Sequence, residues 1–279
     1  MGYLGNLLAI LPRYRGADLI IAHGDSLLLP LLGKPLIRVV HGSGLREALS
    51  AKSALRFFHQ SGVYCLELLT AISQKGCVGV SANTARDNPF IRRVIPNGVD
   101  LSLFSGSLSA KTVEPSLLFV GALGGRKRGR FLLECFAQTI LPRFPAARLK
   151  LVVSPPGPPV RGVEYYVGVS ASGLAAMYQS AWVYASPSSY EGFGLPYVEA
   201  MASGTPVVAT PNPGSQEVLD GGRYGMLVVD GDFGNTVCAL LADQAARARW
   251  TGLGLERAKQ YSLEVMLDRY EALMHELCA

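Results

Sequence analysis

The chain has 279 residues, 49% of them apolar and 17% charged, with 31 Gly and 17 Pro. This length and composition suit one large or two modest α/β domains and exclude both a disordered segment and a small staple-dependent fold. The net charge of +5 is densest at Arg126-Lys127-Arg128 and Arg130, a patch suited to an anionic small molecule or membrane surface rather than to a long nucleic acid.

Along the chain, the apolar start at residues 1–11 lacks a basic lead and is broken by Pro12 and Arg13, so it reads as neither a signal peptide nor a membrane span. The run at residues 27–32, interrupted by Pro30, fails the same length test. An integral membrane protein is thus not expected, and peripheral contact stays open. Apolar runs at Leu19–Ala22, Leu36–Val40 and Val78–Ser81 lack period-2 alternation, the pattern of strands in a parallel sheet covered on both faces. A helical stretch from Leu45 to Ser73, interrupted near Gly62, joins the second of these to the third in βαβ fashion. Residues 105–115 are poor in large apolar side chains and read as a linker. Beyond it, strands are expected at 117–120, 149–153, 182–185, 206–209 and 225–229, with helices at 131–141, 172–180, 197–203, 235–252 and 262–277. The expected fold is α/β with two Rossmann-like domains. The first, residues 1–112, has too few strands to be complete; the second, 113–261, is a doubly wound parallel sheet, followed by a C-terminal helix at 262–279 that packs back on the first domain.

The strongest local signal runs from Ser186 to Glu199. A strand ends, a Gly-bracketed loop turns, and Pro196 occupies a first-turn helical position, so backbone N–H groups near Gly194 and Leu195 face outward at a helix N-terminus. Such a turn at the carboxyl end of a strand is where open α/β sheets place phosphate ligands. Glu191 lies in that loop and Glu199 inside the helix; a solvated loop acid and an ordinary helix residue are the plain alternatives. The second signal, Gly121-Ala122-Leu123-Gly124-Gly125-Arg126-Lys127, also joins strand to helix and offers close backbone approach with fixed positive charge for a pyrophosphate. A basic surface turn is its bland reading. It lacks G-x-G-x-x-G spacing, and the chain has no Walker A sequence, which weakens dinucleotide and P-loop readings. His41 follows the strand at Leu36–Val40, at the carboxyl edge of the first sheet, with a structural loop histidine as the alternative. His23, His59 and His275 are dispersed, the five Cys form no C-x-x-C pair, and Asp230-Gly231-Asp232 reads as a turn, so no metal site is expected and a reducing compartment is.

The segment from Glu191-Gly192-Phe193-Gly194-Leu195-Pro196 through Glu199 to Val208, with two glutamates separated by seven residues, resembles the retaining GT-B glycosyltransferases of family 4, or glycosyltransferases group 1. Gly121-x-Leu123-x-x-Arg126-Lys127, Ile95–Asp100 and Gly214-Ser215-Gln216-Glu217 extend the likeness across roughly residues 18 to 275. The resemblance implies a donor-binding second domain and an acceptor-side first domain. In it, Arg126 and Lys127 hold a nucleotide diphosphate, the turn at Gly192, Phe193, Gly194 and Leu195 donates beside it, and Glu199 binds the ribose. Glu191 lies by the donor sugar, His41 next to the transferred sugar, and residues 214–217 near sugar and phosphate; Glu191, His41 and Lys127 are the candidate catalytic residues. The implied reaction moves a sugar from a nucleotide diphosphate donor to an acceptor hydroxyl with retention, without a metal or other cofactor. A saccharide, a lipid-linked molecule or a small molecule is the expected acceptor; the expected location is cytoplasmic, with contact at the inner face of a membrane left open. Two departures stand out. Arg128 occupies a position where the family commonly has glycine, and about a hundred front residues of the family pattern have no counterpart. The second departure leads to the expectation that this chain alone is weakly active, completed by a further segment, a second copy or a partner subunit; a non-catalytic, nucleotide-sugar-binding homologue is the alternative.

Overall fold

The computed structural model describes residues 16–23, 29, 33–49, 53–73, 75–105 and 111–278; the apolar start and most of the 27–32 run lie outside them. The chain divides into two units, residues 1–97 with 264–279, and residues 98–263.

In the first unit β1 (Ile20–His23) and β2 (Leu36–Val40) lead to α1 (Gly44–Leu49) and α2 (Ala54–Ser73), then β3 (Gly76–Gly79), α3 (Ala82–Asp87) and β4 (Arg93–Val94). The strands pair in chain order, all parallel. All residues of β2 and β3 are buried, as continuous apolar runs in a parallel sheet require. The helical stretch is not interrupted at Gly62: α2 runs through it, starting at Ala54 after a bend at Ser53. An isolated glycine in a partly exposed helix costs only about 1 kcal/mol against alanine, which packing readily outweighs. Ser81 caps α3 by accepting from the Thr84 amide at 3.0 Å, and Arg46 reaches back to Asp87 with Nε 2.9 and 3.0 Å from its two oxygens.

The second unit begins with the short helix α4 (Leu101–Phe104) and continues through β5 (Ser116–Val120), α5 (Gly129–Cys135), β6 (Arg148–Val152), β7 (Val163–Tyr166) and α6 (Ala171–Ser180). It is completed by β8 (Val183–Ser186), α7 (Leu195–Ala202), β9 (Val207–Ala209), α8 (Pro213–Val218), β10 (Met226–Leu227), α9 (Asp230–Ala242) and α10 (Gln244–Lys259). The strand order is β7-β6-β5-β8-β9-β10, entirely parallel. The first strand of the unit is central and the connection reverses direction between β5 and β8, the doubly wound order whose switch point opens a crevice at the strand carboxyl ends. Phe119, Leu132, Phe136, Leu149, Leu151, Val183 and Phe233 form the core between sheet and helices, each large side chain contributing roughly 1.5–3 kcal/mol of burial. After α5 the helix widens to π geometry at Phe136–Ile140 before Leu141–Arg143, and Leu141 N–H bonds Phe136 O. Pro142 has no N–H for the regular ladder, and the wider turn accommodates that loss.

Three local expectations change. Residues 235–252 are not one helix, because Asp243 breaks the run and caps α10 by accepting from Ala246 N–H at 2.9 Å. Asp230 and Asp232 lie in the first turn of α9 rather than in a free turn, where acids complement the helix dipole. Residues 98–105 belong with the second unit, ahead of the boundary at 113 expected from composition. The cause is backbone pairing: Val99 N–H donates to Tyr261 O and Leu263 N–H to Val99 O, both at 2.9 Å, while Phe104 meets the Tyr178 ring edge-on at 5.9 Å. From Glu264 onward α11 (Leu263–Cys278) belongs to the first unit, where Glu276 forms a two-pronged pair with Arg93.

Candidate functional site

Two loops leave the carboxyl ends of the strands flanking the switch point, residues 121–128 after β5 and 187–194 after β8. They are tied by backbone: Ser189 N–H donates to Arg126 O at 2.8 Å. Lys127 Nζ lies 2.7 Å from Glu191 Oε1 and Arg126 Nη1 3.4 Å from Oε2. The Glu191 side chain is only 8% exposed, against 53% for Arg126, so its charge is paired from the buried side while the arginine remains open to solvent. A buried carboxylate without such partners would be strongly unfavourable.

Gly194 makes the second loop possible. Its φ is +105, and a Cβ there would lie 2.4 Å from the Tyr197 ring. α7 then starts with Pro196 in its first turn, and the N–H groups of Gly192, Phe193, Gly194 and Leu195 have no acceptor among the described residues. Unpaired donors at a helix start, here beside Lys127 and Arg126, are groups to which an anion can bond. One turn into α7, Glu199 accepts from Tyr178 Oη at 2.9 Å. Burial raises its carboxyl above the usual range, while the Tyr178 bond and the nearby Lys127 charge oppose that rise. Lys127 thus serves two carboxylates.

The first loop carries the departure at Arg128. Its backbone is left-handed, φ 56 and ψ 35, the conformation for which glycine is favoured. Its side chain compensates by bonding both Asp230 oxygens and lying over the Phe131 ring, 4.6 Å from the centroid. The αL cost is about 1–3 kcal/mol, and a half-exposed pair returns at most about 1 kcal/mol. Arg128→Gly is therefore expected to change unfolding free energy by under about 1 kcal/mol, whereas Arg128→Val, which loses the pair and adds the greater strain of a β-branched side chain in the left-handed region, costs roughly 1–3 kcal/mol. Urea midpoints test this; equal stability of the two variants would remove strain from the account.

Residues 213–218 form helix α8, and Gly214 backs directly onto Glu191: a Cβ there would lie 2.5 Å from Phe193 O and 2.8 Å from Glu191 Cβ. Sequence reasoning missed Asn212, buried at 5% exposure. Its Nδ2 donates to Ser188 O at 2.9 Å and to Tyr197 Oη at 3.1 Å, while its Oδ1 caps α8 at Ser215 N–H. It thereby fixes the second loop, α7 and α8 together. The signal was available, since Asn-Pro followed by Ser at the third position is a helix-start pattern.

His41 lies in the first unit, at the carboxyl end of β2, and its described neighbour is His23 from the end of β1. His23 Nδ1 and His41 Nε2 are 2.8 Å apart and the rings stack at 5.0 Å. Burial, then the proximity of His23, lowers the His41 pKa from 6.5, favouring the neutral ring. The sequence offered no reason to pair these two, since adjacent parallel strands supply the proximity. Among the described residues no group of three His, Cys, Asp or Glu is placed to hold a metal ion.

Residues 114–243 match the family glycosyl transferases group 1. The chain carries a domain of that family. Its group 1 domain spans β5 to α9 and contains both loops of the site. The chain is 31% identical over 190 residues to a phosphatidyl-myo-inositol mannosyltransferase of Mycobacterium leprae, covering 63% of this chain and 51% of that protein. It is 32% identical over 179 residues to a D-inositol 3-phosphate glycosyltransferase of Corynebacterium urealyticum, covering 56% and 41%. The chain therefore spans about half the length of the curated relatives it matches. In structure it is similar to sucrose-phosphate synthase from Thermosynechococcus elongatus, with TM-score 0.80 at 24% identity over 99% of this chain and 77% of that one. It also resembles Anabaena HepE, in a complex with UDP-glucose, with TM-score 0.78 at 17% identity over 98% and 84%. The matched group 1 segment and these likenesses agree on a two-domain α/β, GT-B-like fold with Rossmann-like parallel sheets.

Proposed function

We propose that this chain transfers a sugar from a nucleotide diphosphate donor to an acceptor hydroxyl with retained anomeric configuration. The observation that carries the reading is the meeting of Arg126, Lys127 and Glu191 across the switch point, beside the open N–H groups of residues 192–195. In this reading the diphosphate sits on Lys127, Arg126 and those amides, and Glu199 takes the ribose hydroxyls. As the bond from the anomeric carbon to the diphosphate breaks, the fixed cations and amides stabilise the leaving charge. The acceptor oxygen bonds that carbon from the same face, its proton passes to the leaving phosphate, and Glu191 stabilises the oxocarbenium-like sugar between. His41 is assigned to the sugar-facing side of the first domain.

The acceptor class is a saccharide, a small molecule or a lipid-linked molecule, with action at the cytoplasmic face of a membrane. Leu55, Phe58, Leu69 and Ile72 of α2 are all more than half exposed and support peripheral contact, as does the name of the M. leprae relative. No described helix is long and apolar enough to cross a membrane.

Calorimetric titration of a nucleoside diphosphate in chelator tests the donor site. Lys127→Ala is expected to weaken binding about 10–100-fold, as loss of a charge-assisted bond does. Undiminished binding in the Lys127→Ala, Glu199→Gln double variant would sink the assignment. Binding without transfer to any acceptor would mark a non-catalytic homologue.

A further inference from the structure

A cavity of about 360 Å³ opens at the opposite end of the second unit's sheet, where β5, β8 and β9 begin, bounded by Lys111, Thr112, Trp182, Pro206 and the Gln244, Arg247, Ala248 and Thr251 face of α10. Its volume lies within the range of small-molecule sites. The charges lining it are both positive. Lys111 Nζ donates to Ala181 O and Thr205 Oγ1, each at 2.7 Å, so an ammonium with three donors spends two on neutral oxygens. No carboxylate of the described residues pairs with it. Burial alone acts on its pKa and lowers it to about 8. Arg247 lies over the Trp182 ring, 4.1 Å from the centroid, and donates to Leu240 O and Leu241 O; the Trp182 indole N–H is spent on Thr112 O at 2.7 Å.

We propose that this cavity is a binding site for a small organic carboxylate, whose anionic head pairs with Lys111 and whose apolar body lies along Trp182, Pro206 and Ala248. A desolvated amine without a counter-charge is unfavourable alone, and an anion of matching size supplies what the chain does not. Arg247 adds a second cation whose guanidinium is already fixed by Trp182 and the carbonyls ending α9. The site is independent of the proposed transfer reaction, because none of its residues lies in the two loops at the strand carboxyl ends.

The chain has two tryptophans, Trp182 and Trp250, so Trp250→Phe leaves Trp182 as the sole reporter. In that background the probe is benzoate, with the neutral isostere benzamide as control. Benzoate is expected to change Trp182 emission saturably with a dissociation constant on the order of 1 mM, the scale for a ligand of so few atoms, and benzamide is not. Lys111→Met, which keeps the buried stem, is expected to weaken benzoate about tenfold or more. Gln244→Glu places a repelling charge at the rim in a first helical turn that tolerates acids, and is expected to weaken it with an unchanged far-ultraviolet spectrum, so a folding defect in Lys111→Met leaves a second reading. No saturable change with benzoate, equal binding of benzamide, or full benzoate affinity in both variants overturns the proposal.

Discussion

Glu191→Gln is expected to lower transfer turnover by about 10²–10³-fold, the scale of losing one preorganised charge at a reacting centre. Nucleoside diphosphate affinity should be unchanged or higher. The reason is in the ion pairs: Glu191 occupies both Lys127 and Arg126, and neutralising it frees two cations for the diphosphate of the proposed donor while removing the anion proposed to lie beside its sugar. Single-turnover rates set against dissociation constants separate the two effects. If affinity falls in step with rate, Glu191 serves to hold Lys127 in place and its charge is not acting on the sugar.

Gly214→Ala tests the same carboxylate through its support. An added methyl has no room between Phe193 O and Glu191 Cβ, so the second loop must shift. Overpacking of this kind costs roughly 1–3 kcal/mol of stability, and a displacement of about 1 Å at Glu191 costs about 10²-fold in turnover. Thermal unfolding and rate measurements on the same preparation check both. Turnover at the parent level would mean that the loop relaxes without moving Glu191, and that α8 does not fix the site.

The parts of the candidate site legible in sequence were those written in local chemistry. Gly192, Gly194 and Pro196 announce a turn into a helix start, and Arg126-Lys127 announces fixed positive charge, so both loops and their carriers β5 and β8 could be placed in advance. The ion pairs between them could not, because they depend on strand order, with β5 and β8 adjacent though separated by two intervening strands. One of those, β7, was missed: it is an edge strand carrying Glu164, and all four of its residues are only half-buried, so no continuous apolar run marks it. The left-handed backbone at Arg128 had one signal, the glycine that the resembled family commonly has there; the residue type argues against it, and only the bonds to Asp230 and the contact with Phe131 show how it is held. His23 lacked a visible partner for the same reason as Glu191: its neighbour comes from an adjacent strand, here β2.

The bond from Ser189 N–H to Arg126 O has a further meaning for how such a site changes over time. It joins main chain to main chain, so among substitutions at these two positions only proline at Ser189, which lacks the N–H, removes a partner outright, and an insertion that moves either loop away from the other breaks the clasp. The two loops are separate stretches of sequence but a single heritable unit. Variation is accordingly freer in surroundings that do not share the clasp, and a graft intended to transplant the proposed donor site has to carry both strand ends with it.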